Sequence, residues 1–468
     1  MQKQKNFAVY IYFIASCIVL AILQSKHFLD ADEGIILDGA WNLINGRVLY
    51  TDFFEIIPPL SFYFIYWAWQ LVGVSYVAAR IVGIAAILVS AIGVYKISSI
   101  YVRGRLVFLA PTLFMIASLR WVLITHNVFF LPFAIGAMYF FIKSISDRSR
   151  YRLAISGILT GLGILVLHSH GLIIALVSAV FLAIQWFKNK DEYNLKSTAI
   201  YAIGVFIPVS TVLMKWDLNV LYQNLVVPIF SYGSIHYVPQ QFYWFTLLIM
   251  LVLAWSLRSV RSIGVWYLLS IQLLLMLSII PNPAYVHILF ILYPFIILLP
   301  LAFQVLRTAT MKLEKYVTFT LFSYVIIVIF FTAFRFTLIY PPFQKTIRNH
   351  LVSQIHEHCP GQYIYAGPFL PEIYFEARKL NPTPYYLLIP GFQPEEHFDI
   401  TIARLKEYKP SCAVMNYSIV QQFRYDLSSV DYYLRDNYRI NYSIGSHILF
   451  QRKGLNTEDS LEHSPGSS

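Results

Sequence analysis

Charged side chains are scarce in this chain. Asp, Glu, Lys and Arg make up 13% of its 468 residues, against about a quarter in an ordinary soluble domain. With 58% hydrophobic residues and a mean hydropathy of +0.60, that excludes an ordinary soluble domain. Carboxylates are rarer still at the start, with only eleven in the first 340 residues. No small-residue cleavage site follows the first apolar run, so it reads as a retained helix and not a signal peptide. There are three cysteines. Cys17 lies inside the first apolar run as packing. Cys359 and Cys412 each precede a strand-like run and are candidates for a disulfide if that region is extracytoplasmic.

What is present is apolar length. Runs of 15 to 25 apolar residues recur from Phe7 to Tyr340, long enough for membrane helices. The fold class is therefore mainly α and polytopic in the membrane over residues 1–340. From Pro341 to Lys453 the texture changes to short mixed-charge segments such as QYIYAG and CAVMNY, expected to form a small soluble α/β domain. Residues 454–468 are polar and aperiodic, and read as a disordered tail.

The net charge of +11 suggests nucleic acid at first sight, but residues 341–468 carry twelve Lys and Arg against thirteen Asp and Glu. The excess lies wholly in the membrane part, where short cytoplasmic loops are rich in Lys and Arg. Lys3 and Lys5 place the N-terminus inside. The segment PPLSFYFIYWAWQLVGV decides the rest: it is short, opens on Pro58-Pro59, and is rich in interfacial Trp and Tyr. If it does not cross, the later basic clusters all fall inside, and 17 of the 23 basic residues of 1–340 are cytoplasmic. This reading predicts about eleven crossings, near 7–24, 76–100, 106–125, 127–143, 153–167, 171–187, 197–214, 242–257, 262–280, 288–306 and 316–340. The loop 25–75, the 215–241 loop and the C-terminal domain then share the outer face, along with Asn127, His168, His170 and His287. Polar groups at membrane depth are costly and are usually functional.

Six of the eleven carboxylates crowd into DADEGIILDGAWNLINGRVLYTDFFEIIPPLSF at 30–62: Asp30, Asp32, Glu33, Asp38, Asp52 and Glu55. Asp30 and Glu33 have capping-box spacing, with Glu33 reaching back to the start of a helix over about 31–45. Ile36, Leu37, Ala40, Trp41, Leu43 and Ile44 would cover one side of that helix. Asp38, Asn42 and Asn45 form a polar stripe, and Gly46 is the stop. A helix lying along the outer interface is expected. Asp32 is left over by this account. It sits in a first turn where the helix dipole favours a carboxylate, and it could take a proton from an attacking hydroxyl.

The order Asp32-Glu33, Gly46, Tyr50-Thr-Asp52, Pro58-Pro59-Leu60, Gly73, Arg80 resembles the opening of the GT-C membrane glycosyltransferases. It is most similar to the family 39 group of protein O-mannosyltransferases and lipid A aminoarabinose transferases. VHILFILYP at 286–294 and AGPFLPEIYFEARKLNPTPYYLL are weaker similarities. The resemblance implies a multi-pass plasma (inner) membrane protein that transfers a sugar from a polyprenyl-phosphate donor to an extracytoplasmic acceptor with inversion. Asp32 would be the base and Glu33 its neighbour in the catalytic pair. Asp52, Asn127, His168, His170 and His287 would line the cavity. The absence of a Gly-rich phosphate loop fits a lipid-linked donor and not a cytosolic nucleotide sugar.

Two positions depart from the family pattern. Ile57 stands where a Lys often precedes Pro-Pro-Leu, and Thr125-His126-Asn127 replaces an acidic second outer loop. A leaving phosphate needs a cation. Arg80, Arg120 and Arg335, near outer helix ends, could supply a guanidinium fork, or could simply snorkel to headgroups. His168 and His170 have weak metal spacing and no evident acidic third ligand, so a divalent metal is not indicated. No cofactor is implied. A lipid-linked glycan transporter or flippase is the competing class, but no internal repeat is visible and the polar residues gather on one face. A non-catalytic relative that only binds its lipid-sugar is the third.

Overall fold

The computed structural model describes residues 2–24, 31–119, 121–188, 195–231, 240–280, 290–307, parts of 315–330, 343–419 and 426–454. Helices dominate. Tyr76–Tyr101, His126–Asp147, His168–Lys188 and Leu195–Lys215 are long and apolar enough to cross a membrane, reaching roughly 30 Å or more at about 1.5 Å per residue. Shorter apolar helices stand with them: Phe7–Leu23, Tyr243–Ser256, Ile263–Ser278 and Tyr293–Arg307. On these helices large apolar side chains such as Ile81, Leu176 and Phe206 point outward and are exposed, as befits a surface that meets lipid. The expected crossing near 316–340 lies largely outside the described residues.

Close pairing comes from small residues. Gly157 and Gly161, one turn apart on the Arg150–Ile164 helix, face the Leu195–Lys215 helix. A Cβ on either would stand 2.4 Å from a backbone oxygen, of Tyr201 and Val205 respectively. Only glycine allows two backbones to meet this closely, the small-xxx-small device of membrane helices.

Two expectations need correction. The stretch near 106–125 is not one helix. It is a turn of 3-10 helix at Gly104–Phe108 and a helix Leu109–Ser118, with irregular chain from Trp121 through Thr125. Helical continuation fails because the N–H groups of Leu123 and Ile124 are turned to the Glu33 carboxylate. The helix after Asp30 does form, as Ala31–Ile44, and Gly46 ends it with a positive φ of 80°. Its polar stripe does not face water, however: Asp38 and Asn42 are buried while Asn45 is exposed. The cause is a cover from the far end of the chain. The short helix Pro371–Glu376 lies on it, so close that a Cβ on Gly34 would fall 2.4 Å from the Glu372 backbone nitrogen. Asp30, the expected capping-box partner of Glu33, lies outside the described residues; the partners of Glu33 among the described residues are set out below.

The helix after Pro58-Pro59 runs Leu60–Val72 and stops at Gly73, whose φ is 84°. Its 13 residues give about 20 Å, short of a hydrocarbon core of about 30 Å. Two small helices, Leu218–Leu225 and Val227–Ser231, follow the Leu195–Lys215 helix.

The C-terminal residues form a four-stranded sheet with helices against it. β1 (Tyr365–Gly367) pairs parallel with β2 (Cys412–Asn416). β2 pairs antiparallel with β4 (His447–Arg452), which pairs antiparallel with β3 (Tyr438–Ile444) through a turn at Gly445. One side carries Ile355, Ile364, Ile373, Tyr374 and Val414; the other carries Leu388, Phe398, Leu405, Leu434 and Phe450. Phe375 leaves this unit to join the membrane core, stacked on Trp69 at 5.1 Å.

Cys359 and Cys412 are joined in a disulfide, tying the end of the Phe343–His358 helix to β2, and Cys17 is free. A closed loop spanning 53 residues contributes about 4 kcal/mol in the chain-entropy account. Alkylation of unreduced protein under denaturing conditions should therefore modify Cys17 alone. Cys412→Ser should lower the melting temperature; labelling of all three cysteines without reductant would refute the pairing.

Candidate active site

The 31–44 helix begins with two carboxylates that have opposite fates. Glu33 is 1% exposed. Its carboxylate accepts hydrogen bonds from the Tyr76 hydroxyl at 2.5 Å, Arg80 Nη2 at 3.4 Å, Leu123 N at 3.1 Å and Ile124 N at 3.3 Å. Local structure explains the convergence. Ser75 caps the Tyr76–Tyr101 helix, so Tyr76 and Arg80, four residues apart, share one face and both reach inward. Arg80 also lies over the Tyr76 ring at 4.9 Å. Gly83, nearly one turn further, lets the 121–125 segment lie against the helix: a Cβ there would sit 2.7 Å from the Leu123 oxygen. Asp32, one residue before Glu33, is exposed. Glu33 thus fixes the turn that presents Asp32.

The remaining loop carboxylates are structural or sealed. Asp52 closes a tight turn by accepting from Val48 N at 2.7 Å, where Tyr50 takes a φ of 67°. The Tyr50 hydroxyl donates to the Ile57 oxygen at 2.8 Å, and its ring meets Trp216 at 5.5 Å. Asp38 and Glu55 are both buried. Burial pushes Asp38 up to about 8, against the pull of Arg47. Glu55 is held well above the usual carboxylate range, first by burial and then by the Asp38 charge, with the Tyr386 hydroxyl opposing. The burial of neither could be read from spacing, because each is enclosed by groups distant in the chain.

That enclosure is the C-terminal unit gripping the loop. Trp41 Nε1 donates to the Lys379 oxygen at 2.9 Å, and Phe54 N donates to the Pro384 oxygen at 3.0 Å. Phe54 packs on Tyr385 and His397 at 5.5 Å each, and Tyr385 stacks on His397 at 4.0 Å. Burial lowers His397 to about 4.

One cation at the C-terminal end of a long helix was not anticipated. Lys215 donates to the Tyr63 hydroxyl, with its Nζ 4.8 Å from the centre of that ring and 4.6 Å from that of Trp216. Trp216 Nε1 is anchored on the Leu49 oxygen at 2.9 Å. The Lys-Trp pair at the end of an apolar run is the signal that could have found it. It places an exposed ammonium beside the Leu60–Val72 helix, three residues past Leu60.

Residues 57–215 match the family described as dolichyl-phosphate-mannose-protein mannosyltransferase. Among solved structures, ArnT from Cupriavidus metallidurans bound to undecaprenyl phosphate is similar at a TM-score of 0.62 and 12% identity, covering 95% of this chain and 98% of that one. Its apo form gives 0.63 at 11% identity with the same coverage. The archaeal oligosaccharyltransferase AglB from Archaeoglobus fulgidus, in complex with an inhibitory peptide and a dolichol-phosphate, gives 0.53 at 11% identity, covering 95% of this chain and 74% of that one. No curated protein sequence matches the chain. The chain has the GT-C fold.

The segment matched by the family starts at Ile57, so it contains the Pro-Pro-Leu helix, Arg80 and Lys215 but not the Asp32-Glu33 pair. Within the GT-C fold the other expected residues distribute as follows. Arg80 is 8% exposed and engaged by Glu33, so its guanidinium holds a carboxylate. Asn127 lies in the first turn of His126–Asp147, just past the Thr125 cap and three residues from Ile124. His168 and His170 open the His168–Lys188 helix, and Leu60 N bonds to Leu165 O at 3.0 Å, bringing the Pro-Pro-Leu segment beside that break. Both ring nitrogens of His168 are buried without a hydrogen-bond partner among the described residues, and His170 meets Phe130 edge-on. Among the described residues no group of three His, Cys, Asp or Glu side chains could hold a metal. Arg120, Arg335 and His287 lie outside the described residues.

Breaking a buried pair on one side strands the other charge, at a cost of about 3–5 kcal/mol. Glu33→Gln should therefore lower the thermal unfolding temperature markedly; a wild-type temperature would show that the carboxylate is not the anchor. Asp38 works through pH. Folded, it keeps its proton up to about pH 8, whereas in the unfolded chain it loses it near pH 4. Between those limits the native state binds more protons, so stability falls as pH rises from about 4 to about 8 and then levels. Asp38→Asn should melt higher than wild type by most at pH 8, with the gap closing towards pH 4–5; a gap independent of pH would contradict this.

Proposed function

We propose that the protein transfers a sugar from a polyprenyl-phosphate carrier to an acceptor hydroxyl at the outer face of the plasma (inner) membrane, with Asp32 as general base. One observation carries this reading. Of the described carboxylates in the first loop, Glu33, Asp38 and Glu55 are buried and Asp52 closes a turn, while Asp32 is exposed on a turn locked by Glu33. The GT-C fold and the family match to 57–215 support the reaction class, and the similar structures with undecaprenyl phosphate and dolichol-phosphate support a lipid-phosphate donor. The N-terminus would be cytoplasmic and the C-terminal unit outside, where the Cys359–Cys412 disulfide is at home.

In this reaction Asp32 accepts the acceptor's hydroxyl proton as the oxygen bonds to the anomeric carbon. The bond from that carbon to the phosphate oxygen breaks, its electron pair leaves with the lipid phosphate, and the configuration inverts. The leaving phosphate gains negative charge and is stabilised by a positioned cation. Lys215 is the cation offered beside the Leu60–Val72 helix where Ile57 supplies none.

Purified protein with a panel of polyprenyl-phosphate sugars tests the proposal. Asp32→Asn should lower transfer by about 10²- to 10⁴-fold, the usual share of a general base, with melting temperature unchanged. Lys215→Ala should weaken binding of polyprenyl phosphate itself. Undiminished transfer by Asp32→Asn would sink the base assignment.

A further inference from the structure

A cavity lies where the first loop meets the C-terminal unit. Its volume is about 660 Å³, and one wall is the chain at Val74–Tyr76. The other wall is the Phe343–His358 helix, through Asn349 and Ser353, and the chain at Phe375–Arg378. The volume lies within the ~300–1,000 Å³ typical of small-ligand sites.

Its chemistry is mixed in a particular way. Tyr76 and Phe375 give apolar ring surface, and Phe375 is backed by Trp69. Around them stand Ser75 and Ser353 hydroxyls, the Asn349 amide, and two planar groups, Glu376 and Arg378. Glu376 is held by Arg348 at 2.8 Å, so that pair adds no net charge. Arg378 donates to the Val74 oxygen at 3.3 Å and lies over the rings of Trp41 and Phe375, at 5.2 and 4.8 Å. Flat amide, carboxylate and guanidinium groups can each address two neighbouring hydroxyls at once, while ring faces suit the C–H face of a sugar. Arg378 meets no carboxylate among the described residues and His356 also lines the cleft, so an acidic substituent on such a ligand can be met as well as its hydroxyls. The lining favours a polyhydroxylated ligand.

The cleft is also tied to the Asp32 turn. Tyr76 lines it and donates its hydroxyl to Glu33, the residue after Asp32. The Glu372 backbone, three residues before Phe375, presses on Gly34, two residues after Asp32. The link from the cleft to that turn runs through Tyr76 and Glu33.

We propose that this cleft binds a glycan and that the glycan is the acceptor whose hydroxyl Asp32 deprotonates. The acceptor role rests on the glycosyl-transfer reading; glycan binding does not. Both halves of the molecule build the wall, so the C-terminal unit serves to select the acceptor.

The full-length protein in nanodiscs would be tested by saturation-transfer NMR with mannobiose, N,N′-diacetylchitobiose and digalacturonic acid, with no donor present. At least one should bind, with binding lost in Ser353→Trp, which fills the cleft from an exposed helix face, and weakened at least about fivefold in Asn349→Ala. In a transfer assay Ser353→Trp should raise acceptor KM at least about tenfold and leave donor KM unmoved. Binding that survives Ser353→Trp, or no saccharide binding at all, overturns the cleft assignment and leaves transfer by Asp32 standing. Displacement of the bound saccharide by glycerophosphoethanolamine at equal concentration would mark a headgroup site and overturn it too. Saccharide binding in the cleft with no transfer from any donor would instead remove the glycosyl-transfer reading, and the acceptor role with it.

Discussion

A carboxylate sealed from water beside a bilayer is tolerated only if donors surround it, because desolvating the charge costs several kcal/mol before anything is returned. Glu33 meets that condition by drawing on a tyrosine and an arginine from the Tyr76–Tyr101 helix and two main-chain N–H groups from the 121–125 segment. Much of the local architecture follows from this one demand. The helix bearing Tyr76 must start where it does, with its Ser75 cap, for the hydroxyl to arrive. The chain after Ser118 must abandon helical geometry to free its N–H groups. Gly83 must lack a side chain so that this segment can close in. The first turn of the 31–44 helix is then positioned from several directions, and Asp32 rides on it.

The second constraint is the lid over that helix. The Pro371–Glu376 helix, Trp41 on the Lys379 carbonyl and Phe54 between Tyr385 and His397 shut the inner side of the first loop away from water. The price is two carboxylates, Asp38 and Glu55, in a place that favours their neutral forms. Exposed and sealed acids therefore sit within one short stretch and differ in what covers them.

The long apolar helices were readable from residue order, since a run of 15 to 25 apolar residues needs no distant partner to identify it. The same holds for the 31–44 helix and its glycine stop. What could not be read was which face of that helix is wet, because the answer lies 338 residues away, at Lys379. Local spacing offered Glu33 a role as a helix cap; its observed partners are 43 to 91 residues distant. Lys215 escaped notice for a related reason, since its meaning comes from Tyr63, 152 residues earlier. Periodicity reports an element and its apolar side, while burial of a polar group is decided by pairings that leave no period.

The span between Trp41 and Lys379 also bears on the order in which the molecule is made. Ribosomes release the first loop long before residue 371 exists, so the 31–44 helix must wait, half covered, while every membrane helix is inserted. Its inner face closes only when the C-terminal unit has reached the same side and docked. A chain that stops early can thus hold all its membrane helices and still lack the cover over that helix. Assembly of the last segment becomes the step that matures the first.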